Sequence, residues 1–113
     1  MHELAIAQNI IEAVRRALEA HGGGVVRLVR LRIGELSGVE VESLRFGYEM
    51  SVSDTELAGS ELEIERIAVV CECEQCGLLF TPDRFIRICP ACSSRRCRIT
   101  QGAELEIVDF EVE

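Results

Sequence analysis

Two cysteine pairs, Cys73-Glu-Gln-Cys76 and Cys89-Pro-Ala-Cys92, stand with twelve residues between them in a chain of 113. Each Cys-x-x-Cys can turn back as a tight knuckle that aims two sulfurs at one point. A connection of about this length lets two knuckles close a tetrahedron around Zn(II). Four sulfur ligands leave no open position, so such a site is structural rather than catalytic. Cys73, Cys76, Cys89 and Cys92 are therefore the expected zinc ligands, with Gly77 and Pro90 suited to the turns. Leu79-Phe80 and Phe85-Ile86 are placed to cover the metal. Cys71 and Cys97 read as small core residues, although Cys71 offers an alternative to Cys73 through a Cys-x-Cys arrangement.

Net charge is −8, and every one of the twelve basic residues is Arg. That balance opposes a general affinity for nucleic acid backbone, which needs a positive field. Residues 71–98 are locally basic, with five Arg against three acids, which is what a zinc-ribbon nucleic-acid module would show. Five aromatic residues in the whole chain leave little for base stacking. A small zinc enzyme is the other alternative, and it would need an incomplete ligand set. No apolar run approaches the roughly 20 residues of a membrane span, and the N-terminus lacks the charged start of a secretory signal. The expected setting is cytoplasmic and reducing, where six cysteines are better explained by metal than by disulfides.

Periodicity divides the chain. Leu4, Ala7, Ile11, Val14 and Leu18 repeat at helical spacing over 4–20, and Gly22-Gly23-Gly24 ends that helix. A strand follows at 25–33, where Val29, Leu31 and Ile33 alternate with Arg30 and Arg32. A second helix is expected over 40–52, turning Val41, Leu44, Tyr48 and Val52 inward, then a strand over 61–67. The last strand, 103–112, changes phase after Ile107, which suggests a bulge or twist. It has nothing to pair with unless it returns to the first sheet. The fold class is therefore α+β: two helices on a three-stranded sheet, with a zinc-ribbon-like module inserted and a C-terminal strand returning. Residues 1–68 plus 101–113 form the main domain, and 69–100 the module.

The N-terminus carries a second donor set. A methionine before a bulky residue is usually retained, so Met1 offers a free α-amine. That amine, the backbone nitrogen of His2 and its imidazole form fused chelate rings suited to Ni(II) or Cu(II). Glu3 adds an oxygen donor nearby. The other histidine, His21, sits where a cation suits a helix C-terminus.

Met-His-Glu-Leu at the start, Ile33-Gly34-Glu35-Leu36-Ser37-Gly38-Val39, the two cysteine pairs and Ile99-Thr100-Gln101-Gly102-Ala103-Glu104-Leu105 occur together in this order. The combination resembles the HypA family, nickel-insertion accessory proteins of [NiFe]-hydrogenase maturation, over essentially the whole chain. The resemblance implies a nickel metallochaperone, not an enzyme. Nickel would sit at His2, with Met1 and Glu3 beside it and Glu40, early in the second helix, as a further acidic candidate. Zinc would sit at Cys73, Cys76, Cys89 and Cys92. The implied partners are the GTPase HypB and the hydrogenase large subunit; a homodimer is compatible with this reading. Some relatives carry a His in the zinc module, which this sequence lacks.

Overall fold

The computed structural model describes residues 2–113, apart from the Phe85 side chain. Helix α1 (Glu3–Ala20) buries Ala7, Ile10, Ile11, Val14 and Leu18. It ends as the glycine run requires. Gly23 N–H reaches back to Leu18 O at 2.8 Å and Gly22 N–H to Glu19 O at 3.3 Å. Gly22 holds φ +97, the left-handed conformation that closes such an end without a Cβ penalty. The His21 ring nitrogen Nδ1 donates to Ala17 O at 2.9 Å, satisfying a terminal carbonyl. Helix α2 (Val41–Ser51) turns Val41, Leu44 and Tyr48 inward, and Val52 just beyond it is buried too.

Among the described residues six strands form two sheets: β1 (Val26–Gly34), β2 (Glu61–Ile67), β3 (Val70–Cys73), β4 (Leu79–Phe80), β5 (Cys97–Gln101) and β6 (Leu105–Val112). One sheet has the order β2-β1-β6 and the other β4-β3-β5. The last strand does return to the first sheet. Gly34 N–H bonds Glu104 O and Glu113 N–H bonds Val25 O, so β6 runs antiparallel to β1. It starts at Leu105 rather than 103, because Gly102 (φ +117) turns the chain there. Its partly buried apolar residues are Ile107 and Phe110, while Val108 and Val112 stay exposed. The phase change expected after Ile107 therefore leads inward at Phe110 only.

Contacts group the chain into two compact units, Met1–Arg32 with Gly38–Glu65 and Glu106–Glu113, and Ile33–Ser37 with Arg66–Leu105. In the first, α1 and α2 pack on each other, and Val29 and Leu31 of β1 and Leu62 of β2 are buried as well, an aliphatic core with Tyr48 as its buried aromatic. Tyr48 Oη lies 2.6 Å from Ser60 Oγ, which gives the buried hydroxyl a partner. The opposite face of this sheet is charged. Arg30 meets Glu63, Asp109 and Glu111, and Arg32 meets Glu65 and Glu106, so arginines on the central strand face carboxylates on both neighbours.

In the second unit, segment 33–37 groups with the cysteines. Leu36 N–H donates to Gly102 O at 2.7 Å and Glu35 N–H to Ile67 O at 3.0 Å. Gly34 and Gly102 meet backbone to backbone here: a methyl group on Gly34 would land on the Gly102 carbonyl. A Cβ on Gly102 would in turn lie 2.8 Å from Val69 Cα.

Candidate metal centre

The sulfurs of Cys73, Cys76, Cys89 and Cys92 all lie within 4.8 Å of one another, the only such group of potential ligands among the described residues. Cys73 Sγ is 3.5 Å from Cys92 Sγ, and Cys76 Sγ is 3.5 Å from Cys89 Sγ. Zn–S bonds of about 2.3 Å in a tetrahedron put sulfurs about 3.8 Å apart. The four thiols fit that ion with no more than small adjustments.

Two knuckles of the same design bring them together. Cys73 N–H donates to Leu78 O and Gly77 N–H to Cys73 O, both at 2.9 Å. In the second knuckle Cys89 N–H donates to Ser94 O at 3.0 Å and Ser93 N–H to Cys89 O at 2.9 Å. In each, the residue after the second cysteine is left-handed: Gly77 at φ +80 and Ser93 at φ +62. Glycine at 77 signals this in the sequence, whereas a serine at 93 gives no such signal.

Backbone amides and neighbouring sulfurs set the thiols apart. Amide N–H groups of Cys76 and Gln75 bring Cys73 down to about 6. The Ser94 amide opposes it, but burial and the sulfurs of Cys73, Cys89 and Cys76 push Cys92 up to about 12. The Leu78 amide opposes it, but the Cys89 sulfur and burial also raise Cys76. Burial opposes the effect at Cys89, yet the amides of Cys92 and Ala91 lower it. Four thiols so close cannot all ionise together, because each thiolate repels the next. A divalent cation removes that conflict.

Cys71 and Cys97 belong to the core beneath. The buried cluster of this unit is Val69, Cys71, Cys73, Cys89 and Cys97, with Leu36, Phe80 and Cys92 against it. Cys73 pairs across the ladder with Cys97, and Cys71 with Phe80 and Ile99. Burial, with Cys73 nearby, raises the Cys97 thiol. Of the residues expected to cover the metal, Phe80 packs on this cluster. Leu79 and Ile86 do not: they are 60% and 56% exposed. The two-residue strand β4 turns Phe80 inward and so turns Leu79 out. The Phe85 side chain lies outside the described residues.

At the other end of the chain, Met1 lies outside the described residues. His2 is the exposed N-cap of α1; its carbonyl accepts from Ile6 N–H at 3.1 Å, and its side chain makes no capping bond. Glu3 and Glu40, 37 positions apart, come together: Glu40 N–H donates to Glu3 Oε2 at 3.1 Å. Glu40 in turn caps α2, its carboxylate accepting from Ser43 N–H at 2.6 Å. The Glu40 amide, with Glu3's own N–H, holds the Glu3 carboxyl below its usual range.

The family described as Hydrogenase/urease nickel incorporation, metallochaperone, hypA matches residues 1–112. The chain is 40% identical over 113 residues to Hydrogenase maturation factor HypA of Chlorobaculum parvum, covering 100% of both. To the protein of that name from Chloroflexus aurantiacus it is 41% identical, covering 98% of both. The solution structure of the Ni metallochaperone HypA from Helicobacter pylori shares the fold with a TM-score of 0.67 at 24% identity, covering 99% of this chain and 97% of that one. The solution structure of another HypA protein gives a TM-score of 0.73 at 23% identity, covering 100% and 97%. The chain belongs to the HypA family, metallochaperones of hydrogenase and urease nickel incorporation rather than enzymes.

Proposed function

We propose that this protein carries Ni(II) and delivers it during [NiFe]-hydrogenase maturation, with Zn(II) held for structure by Cys73, Cys76, Cys89 and Cys92. The observation that carries the nickel reading is His2: exposed, at the head of a helix, with an imidazole that no capping bond occupies. Together with the Met1 α-amine and its own backbone nitrogen, it offers Ni(II) three nitrogens in a plane. Glu3, next to it in sequence, and Glu40, whose N–H donates to the Glu3 carboxylate, are the further acidic candidates. An exposed terminal site of this kind can release its ion one ligand at a time, whereas a closed four-sulfur site holds its ion permanently.

Zinc supplies no reaction here. Its four thiolates leave no position for water or substrate, and it ties the two knuckles together. The GTPase HypB and the hydrogenase large subunit are the proposed partners, so nucleotide chemistry belongs to the partner. The proposed setting is cytoplasmic. Among the described residues, no helix is long and apolar enough to cross a membrane.

Calorimetric titration of Ni(II) into zinc-loaded protein tests the reading. The native protein should bind one nickel, and His2→Ala or a chain extended before Met1 should lose that affinity. Equal binding by all three would remove the terminal site.

A further inference from the structure

Helix α2 begins with half of a capping box. The Glu40 carboxylate accepts from Ser43 N–H, the third helical position. In a complete box a Glu or Gln at that position returns a hydrogen bond to the N–H of the capping residue. Position 43 is serine, and the return bond comes from the other helix: Glu40 N–H donates to Glu3 Oε2 at 3.1 Å. The box is therefore shared between α1 and α2. Glu3 is half-buried in the first turn of α1, where a negative charge also suits the helix dipole. It is bonded in sequence to His2, the cap of that same helix.

We propose that Glu3 is a positioning residue for the terminal nickel chelate. By completing the capping box of α2 it pins the first turn of α1, and so fixes the backbone nitrogen and imidazole of His2. The inference rests on the nickel role of His2 proposed above. Without the tether the first turn of a helix frays readily, and ordering it then weakens ion binding.

A capping role needs only an acceptor oxygen, which Gln retains, whereas an anionic nickel ligand needs the carboxylate. Zinc-loaded protein, Glu3→Gln, Glu3→Ala and His2→Ala, all with native N-termini, are titrated with Ni(II) while amide exchange is followed at Glu40 and Ser43. Glu3→Gln should bind within about threefold of the native protein and keep the Glu40 amide protected. Glu3→Ala should lose about tenfold, the worth of one hydrogen bond, with faster exchange at Glu40. Glu3→Gln as weak as Glu3→Ala would make Glu3 a ligand and overturn the proposal, as would Glu3→Ala that binds normally or leaves Glu40 exchange unchanged. Unchanged binding by His2→Ala would instead overturn the terminal-site reading, and is recognised because the Glu40 amide still answers to Glu3→Ala.

Discussion

Gly34 and Gly102 touch backbone to backbone: a side chain on Gly34 would land on the Gly102 carbonyl, and one on Gly102 would meet Val69. Gly34 N–H donates to Glu104 O, Leu36 N–H donates to Gly102 O, and the Glu104 carboxylate accepts from Gly102 N–H at 2.8 Å. Two separate sequence motifs, around Gly34 and around Gly102, are thus the two sides of one junction.

Gly34→Ala should destabilise the protein by about 3 kcal/mol, since backbone atoms cannot yield as side chains do. Gly102→Ala should cost a similar amount, combining its φ of +117 with the approach to Val69. Thermal unfolding of each variant beside Gly59→Ala checks this. Gly59 is also left-handed but has nothing within 4 Å, so its substitution should cost about 1–2 kcal/mol. Equal losses at all three would refute the contact.

The matched knuckles predict opposite responses at matched positions. Ser93→Gly relieves a left-handed serine and should be neutral or stabilising by up to about 1 kcal/mol, while Gly77→Ala should cost about 1–2 kcal/mol. Resistance of the bound zinc to a competing chelator reports both. The same sign for the two substitutions would contradict the pairing.

Zinc content separates ligands from core. Cys97→Ala should keep one zinc per chain and lose about 1 kcal/mol of stability, because Cys97 fills the core as a small apolar residue. Cys76→Ser should lose tight zinc binding. Four of the five buried residues in this cluster are cysteines, so chelation should melt β3, β4 and β5. Circular dichroism before and after chelator would show it.

Zinc binding should be steeply pH-dependent. Without metal, Cys76 and Cys92 are raised and hold their protons at pH 7, while Cys73, at about 6, is largely ionised. Metal binding then expels at least two protons. Protons compete more strongly as pH falls, so affinity should drop by about two decades per pH unit around neutrality, and faster below about 6 where Cys73 is protonated too. Calorimetry in buffers of different ionisation enthalpy counts the protons. A release of fewer than two would contradict the thiol assignments.

The sequence is most readable where a pattern is local. Helical spacing in α1, the glycine stop, Val41–Leu44–Tyr48 and the four cysteines all express themselves within a few residues of chain. What escapes is long-range or chemically disguised. Glu3 and Glu40 are 37 positions apart, and nothing near either announces a shared cap. Ser93 adopts a glycine's conformation because the knuckle hydrogen bonds demand it. Leu79 looks like core by composition, yet the alternation of a two-residue strand sends it to the surface. The Gly34 junction is visible in sequence only as two unrelated glycines.

The charged face of the first sheet also bears on how the chain finds its fold. The final strand must come home after the whole cysteine module, and either edge of a two-stranded ribbon would accept its backbone. Glu61, Glu63 and Glu65 make the β2 edge hostile to a strand bearing Glu106, Asp109 and Glu111. Arg27, Arg30 and Arg32 make β1 the welcoming neighbour. Each such pair contributes little to stability at the surface. Together they act as an address that the last strand can read on arrival.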